Sequence, residues 1–179
     1  MEIFYNIDDY WISVTLFCSW KFSKSTGVDL NLQFPAGWYR AKEIKYVQGY
    51  NKPGPRDFVG DGPLTEPESV ALYNFTLNHL FRLILAYHTQ GEVIYWKYSN
   101  CLPPESEYIG ERFADASGYS LDITPPESAY AGFKDWFIQE FNRPGYTIES
   151  GWGENPLPIS QFDKIYMDNI GILVLGAIL

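Results

Sequence analysis

The hydrophobic pattern of the chain is clearest in residues 81–91, where the apolar run Phe-Arg-Leu-Ile-Leu-Ala-Tyr ends in the polar turn His-Thr-Gln-Gly. A short apolar run bounded by turn residues is typical of a buried strand. Because ligands of open α/β sheets bind at the carboxyl ends of strands, His88 occupies a position where a functional site is expected. A second short strand is predicted over residues 145–149. It ends in Glu149, which we interpret as the partner of His88.

Helical spacing of apolar residues is found in four segments, which are residues 65–78, 105–117, 131–141 and the stretch after Ser160. In the first of them, Thr65 and Glu68 form a capping-box pattern around a proline in the first turn. Gly118 is well placed to stop the second helix. His79 follows the first helix, where the helix dipole favours a histidine as a cap.

The other segments have weaker patterns. Residues 11–18 could form a strand, residues 93–98 alternate loosely, and residues 27–37 resemble a strand end or the loop after one. The turn-rich residues 38–63 are predicted to form a long surface loop, and loops of this length are often functional. Helices and short strands alternate in the rest of the chain. That alternation predicts a layered α/β domain with helices over a mainly parallel sheet.

Composition and charge indicate a folded domain and exclude some classes of binding partner. The chain has 179 residues, 46% of them hydrophobic, which suits one folded domain of ordinary size. Its net charge of −9 and the lack of a basic stripe argue against nucleic acid and against an anionic membrane surface as partners. The apolar runs at residues 11–20 and 170–179 are shorter than the roughly 20 residues that a bilayer-spanning helix needs.

Two further features concern the cellular compartment. The first residues of the chain lack the positive charge of a secretory leader, so we expect a cytoplasmic protein. The two cysteines, Cys18 and Cys101, do not have the spacing of a zinc finger. In a reducing compartment we expect both thiols to be unpaired, with a single disulfide as the alternative.

Several motifs occur in an order that resembles the zinc carboxypeptidase family. They are Gly-Val-Asp-Leu-Asn at residues 27–31, Tyr-His-Thr-Gln-Gly-Glu-Val-Ile-Tyr-Trp at residues 87–96, and Phe-Lys-Asp-Trp at residues 133–136 leading to Tyr-Thr-Ile-Glu at residues 146–149. Within the family they most resemble bacterial γ-D-glutamyl-diamino-acid endopeptidases, which cut peptidoglycan stem peptides. The resemblance implies a three-layer α/β/α fold with a mixed sheet and a zinc-dependent hydrolase with a cell-wall peptide as its substrate.

The resemblance also implies roles for four residues. His88 corresponds to the family's third zinc ligand, and Glu149 to the catalytic carboxylate that deprotonates the zinc-bound water. Asn31 matches the asparagine that binds the terminal carboxylate of the substrate. Asp29 matches an aspartate that orients a ligand histidine, because a carboxylate behind the ring fixes the tautomer.

The chain departs from the family pattern in its zinc ligands. The family takes its first two ligands from a His-x-x-Glu motif upstream of Gly-Val-Asp, but the only histidines here are His79 and His88. The family's oxyanion-stabilising arginine would precede Asn31, yet the first arginine is Arg40. Leu32 replaces the arginine of the classical carboxypeptidases, which favours the γ-glutamyl branch.

These departures lead to a division of the chain and to two functional hypotheses. We interpret residues 1–26 as an irregular N-terminal segment and residues 27–179 as the C-terminal portion of a zinc carboxypeptidase-like catalytic domain. One hypothesis is an N-terminally truncated zinc peptidase, and the other is a non-catalytic remnant, or pseudoenzyme. In either case the sheet would be incomplete on its N-terminal side, and an unpaired sheet edge favours self-association.

Three charged residues near the second predicted strand are expected to stabilise the structure and not to take part in function. Lys134, Asp135 and Arg143 are predicted to form a set of surface or loop salt bridges, because charged side chains are mostly exposed.

Overall fold

The computed structural model describes the backbone of residues 2–7 and 10–16 and the whole of residues 26–179. The strands are β1 (Glu2–Ile7), β2 (Tyr10–Leu16), β3 (Phe81–His88), β4 (Val93–Tyr95), β5 (Ser120–Asp122) and β6 (Gly145–Glu149). The helices are α1 (Trp38–Val47), α2 (Pro67–Leu77), α3 (Ser106–Ser117), α4 (Phe133–Phe141) and α5 (Phe162–Ile178). Short 3-10 turns lie at Leu30–Leu32, Pro126–Ser128 and Ile159–Gln161.

The six strands form one mixed sheet in the order β1-β2-β3-β6-β4-β5. β3 pairs in parallel with β2 on one side and with β6 on the other. β4 pairs antiparallel with β6 and parallel with β5, and β1 pairs antiparallel with β2. The sequence-based predictions of an α/β fold and of a strand ending at His88 are therefore confirmed.

The central strand β3 is covered by helices on both faces. Leu83, Leu85 and Tyr87 belong to one core cluster, which also contains residues of α3 and α5. Ile84 and Ala86 belong to a second cluster, which contains residues of α4 and the half-buried aromatic side chains of α2. Burial on both faces explains why the strand is a nearly continuous apolar run instead of an alternating one. The layers are therefore helix, sheet and helix.

The prediction of a long surface loop over residues 38–63 is wrong for its first part, which forms α1. This helix buries Trp38, Ala41 and Lys45, at a spacing of three and four residues, and leaves its other faces exposed. Its N-cap is Gly37, at φ +64°, and no side chain there accepts a hydrogen bond from the helix. Because a capping side chain and a wide apolar stripe are both lacking, the sequence carries no strong helix signal there.

The capping box predicted at Thr65 is also wrong. α2 begins at Pro67 with Glu66 as its N-cap, and no side chain caps it. The Thr65 hydroxyl donates instead to the side-chain oxygen of Gln33 (3.0 Å), which also accepts from the Thr65 backbone N–H (2.9 Å). The Gln33 side-chain amide donates to the carbonyls of Val59 (2.9 Å) and Gly62 (3.3 Å). One buried side chain thus holds the loop before α2.

Two smaller predictions, both about helix ends, are confirmed. Gly118 is the C-cap of α3, at φ +76°. The Nδ1 atom of His79 lies 2.7 Å from the carbonyl oxygen of Phe75, so its N–H can donate to the end of α2. Cys101 is a free thiol, whereas Cys18 lies outside the described residues. No helix in the described ranges is both long and apolar enough to cross a membrane.

Residues before Gly27 contribute to the sheet, since β2 supplies the parallel neighbour of β3 over most of its length. The strand predicted over residues 11–18 is present as far as Leu16, and the two residues after it lie outside the described part. The division of the chain at residue 27 stays a prediction.

We expect the chain to self-associate through the edge strand β1. Among the described strands, β1 and β5 end the sheet, and β5 has only three residues, which limits pairing with another chain. Sedimentation velocity at increasing concentration checks this, and the expected result is a rising average mass. A monomer at all concentrations, with cooperative melting, would contradict the prediction.

Candidate active site

The pairing of β3 with β6 brings His88 and Glu149 side by side. The two strands run in parallel, and His88 and Glu149 are register partners at their carboxyl ends. His88 is buried, with 5% of its surface exposed, and Glu149 is half-buried. Side chains at matching positions of parallel strands project from the same face of the sheet. The strand order therefore places an imidazole next to a carboxylate, as the sequence predicted.

A cavity of about 690 Å³ opens at this edge of the sheet. It is lined by each of the four residues that the sequence singled out, which are Asp29, Asn31, His88 and Glu149. These residues come from the loop before α1 and from the ends of β3 and β6. The structure thus brings all four together, while the role of each stays a prediction.

Asp29 is held by hydrogen bonds at both carboxylate oxygens. Oδ1 accepts from the backbone N–H of Asn31 (3.0 Å), and Oδ2 accepts from the backbone N–H of Asp57 (2.9 Å). The first bond is the local turn that aspartate side chains favour. The second joins two segments that are 28 residues apart. Asp29 therefore positions Asn31 and fixes the middle of the loop between α1 and α2 against the cavity.

Sequence reasoning missed an ion-pair cluster that joins the middle of this loop to α1. Oδ1 of Asp57 lies 2.7 Å from Nζ of Lys45, and Oδ2 lies 2.5 Å from Nε of Arg56. All three residues line the cavity. Burial alone would raise the pKa of Asp57, but the hydrogen bonds from Lys45 and Arg56 outweigh it and lower the pKa below its ordinary value. The length of the loop was the one signal in the sequence that pointed to function here.

Tyr95 is a second residue that the sequence did not indicate. It lines the cavity from β4, which pairs with β6 beside Glu149. Burial first, and then the negative charge of Glu149, raise the pKa of the Tyr95 hydroxyl. The hydroxyl therefore stays protonated at neutral pH and can donate a hydrogen bond into the cavity.

Lys134 and Asp135 are not surface residues, contrary to the prediction. Both side chains are 4% exposed, and Nζ of Lys134 lies 2.5 Å from Oδ1 of Asp135. Nζ also donates to the carbonyl of Lys97 (2.8 Å), and Oδ2 of Asp135 accepts from the N–H of Gly132 (3.3 Å) at the start of α4. Because the first six residues of α4 are buried, this ion pair lies inside the protein and lines the cavity.

Arg143 was predicted to belong to the same surface set. It is half-buried, and its Nη1 donates to the carbonyl of Phe81 (2.7 Å). This hydrogen bond ties the turn after α4 to the first residue of β3.

The described residues do not provide a complete zinc site. A catalytic zinc ion needs three protein ligands. Within residues 26–179, no group of three or more histidine, cysteine, aspartate or glutamate side chains is arranged to hold a metal ion. His79 is not among the residues that line the cavity and lies at the end of α2. His88 is thus the histidine that the cavity offers to a metal.

We expect Asp57→Asn to destabilise the fold, because it leaves the buried Lys45 ammonium without its partner. The Lys45 and Asp57 side chains are 8% and 11% exposed. Breaking a buried pair from one side costs about 3–5 kcal/mol. Urea unfolding at pH 7 measures the loss. The control is Glu43→Gln, which breaks the exposed Arg40–Glu43 pair and should cost under about 1 kcal/mol.

The same variant has a pH signature. Because the pKa of Asp57 is lower in the folded protein than its ordinary value of 3.8, the stabilisation is present above pH 3.8. It is lost as the pH falls through the folded value. The stability difference between wild type and Asp57→Asn should therefore be full at pH 7 and shrink in acid. A difference that is equally small at both pH values would contradict the importance of this ion pair.

Comparison with known proteins places this geometry in a family. The sequence profile of the zinc carboxypeptidases (peptidase M14) matches residues 5–170. The γ-D-glutamyl-L-diamino acid endopeptidase 1 of Lysinibacillus sphaericus is 49% identical over 162 residues, which are 89% of this chain and 39% of that protein. The uncharacterized protein YqgT of Bacillus subtilis (strain 168) is 45% identical over 157 residues, which are 88% of this chain and 40% of that protein.

Among solved structures, the carboxypeptidase A of Helicoverpa armigera superposes with a TM-score of 0.67 at 22% identity, covering 85% of this chain and 41% of that one. This likeness shows a shared fold. The chain spans about two-fifths of the length of the relatives it matches. Since the profile covers most of the chain and the relatives approach half identity, the chain belongs to the zinc carboxypeptidase family.

Proposed function

We propose that this chain forms the substrate-binding and proton-transfer part of a peptidase site for γ-D-glutamyl-diamino-acid peptides of peptidoglycan. The identity of 49% to a γ-D-glutamyl-L-diamino acid endopeptidase supports this substrate class. The observation that carries the proposal is the pairing of His88 with Glu149 at the edge of a cavity that Asp29 and Asn31 also line.

Glu149 is the proton carrier of the proposed reaction. A half-buried carboxylate can take the proton from the water that attacks the scissile carbonyl carbon. The new C–O bond forms, the C–N bond breaks, and the same proton passes to the leaving amine. The hydroxyl of Tyr95, which lines the same cavity, can donate a hydrogen bond to the substrate.

Asn31 and Asp29 position the substrate in this proposal. Asn31 offers its side-chain amide to a substrate carboxylate, and the backbone hydrogen bond to Asp29 holds its main chain in place. His88 is the ligand that the chain would contribute to zinc. Because the described residues lack a three-ligand set, no step through the metal is assigned to this chain.

The peptidase proposal predicts that the chain, supplied with zinc, cleaves a γ-D-Glu-diaminopimelate peptide and that a chelator stops the cleavage. Glu149→Gln should reduce the rate about 10²–10⁴-fold, because the proton carrier is lost. Liquid chromatography of the products measures the rate. The control is Glu140→Gln, which changes an exposed glutamate of α4 outside the cavity. Equal rates for both variants would refute the role of Glu149.

The second candidate function is a non-catalytic peptide-binding protein. The lack of a three-ligand group in residues 26–179 favours it. It predicts that the purified chain, dialysed after incubation with zinc, retains much less than one zinc ion per molecule by elemental analysis. Stoichiometric zinc that is lost in His88→Ala would overturn this candidate and support the peptidase.

A further inference from the structure

Three lysine and arginine side chains line the cavity, and they differ in what their charges contact. Lys45 is 8% exposed and paired with Asp57 at 2.7 Å. Lys134 is 4% exposed, paired with Asp135 and hydrogen-bonded to a backbone carbonyl. Both charges are thus neutralised inside the protein. Arg56 is different, because 71% of its side chain is exposed.

The Arg56 guanidinium is held along one edge. Its Nε donates to Oδ2 of Asp57 (2.5 Å), while its two terminal nitrogens make no hydrogen bond or ion pair within the described part of the chain. A guanidinium offers five N–H donors in a planar fork, and the edge with both terminal nitrogens matches the two oxygens of a carboxylate. The donors that remain open on Arg56 therefore suit a bidentate anion.

The support behind Arg56 is rigid and charge-compensated. Asp57 is fixed at its backbone N–H by Asp29 and at its other carboxylate oxygen by Lys45. Because Lys45 already balances the charge of Asp57, Arg56 keeps its positive charge for a ligand. The cavity also carries the carboxylates of Asp29, Asp57, Asp135 and Glu149, so an anion would be held by direct contact with the Arg56 fork and not by a general field.

We propose that Arg56 binds the free α-carboxylate of the D-glutamyl residue in the substrate, an inference that rests on the proposed function. A γ-linkage joins glutamate to the next residue through its side chain, so the α-carboxylate stays ionised a few bonds from the scissile amide. Arg56 then selects peptides with this carboxylate against peptides in which it is an amide. It is a specificity residue, distinct from the proton carrier Glu149.

Binding measurements test the proposal without depending on turnover. Isothermal titration calorimetry compares L-Ala-γ-D-Glu-diaminopimelate with the same peptide carrying the α-amide. We expect the wild-type chain to bind the acid about 10- to 100-fold more tightly, the range of a charge-assisted hydrogen bond. Arg56→Gln should bind both peptides alike, at the level of the wild type with the amide. Arg56→Lys should retain part of the preference, because a point charge replaces the fork.

Arg40→Gln is the matched control, since Arg40 is an exposed arginine of α1 that pairs with Glu43 and does not line the cavity. It should keep the full preference for the acid. Urea midpoints for all variants exclude misfolding. A wild-type chain that binds acid and amide equally, or an Arg56→Gln variant that keeps the preference, overturns this proposal and leaves the proposed function standing. Failure of the wild type to bind either peptide overturns both.

Discussion

The parallel pairing of β3 with β6 is the constraint on which the site depends. It sets the register that places His88 beside Glu149, although the two residues are far apart in the sequence. A shift by one residue would turn one of the two side chains to the opposite face of the sheet. The core on both sides of β3 prevents that shift. Leu83, Leu85 and Tyr87 pack in one core cluster, and Ile84 and Ala86 pack in the cluster on the opposite face.

Much of the fold was predictable from the sequence, for a reason that lies in this packing. Burial on both faces makes β3 a continuous apolar run, and such a run followed by a polar turn is easy to recognise. α1 escaped prediction because it starts at a glycine without a capping side chain and buries only a narrow stripe. The charged pair Lys134–Asp135 was placed on the surface because nothing local in the sequence reveals that a charge has a partner inside the protein.

The candidate site, like the fold, was predictable from the sequence only in part. The four residues tied to family motifs line one cavity. Two of the motifs include the carboxyl ends of the neighbouring strands β3 and β6, which meet at the same edge of the sheet. The Lys45–Asp57–Arg56 cluster could not be predicted, because its geometry depends on a hydrogen bond between two distant loops. His88 lies at the end of its strand in the cavity, and the described residues that line the cavity include no second histidine.

The buried amide of Gln33 has a consequence for how the cavity can change. Gln33 holds the loop at Val59, Gly62 and Thr65, while Asp29 holds it at Asp57, so the loop's second half is fixed at four points. The stretch 51–54 before it is mostly exposed and rich in proline and glycine. Insertions and substitutions there can lengthen or reshape the loop without disturbing the sheet. The segment that leads to Pro55 and Arg56 at the cavity can therefore change, while the strand ends that carry His88 and Glu149 stay unchanged.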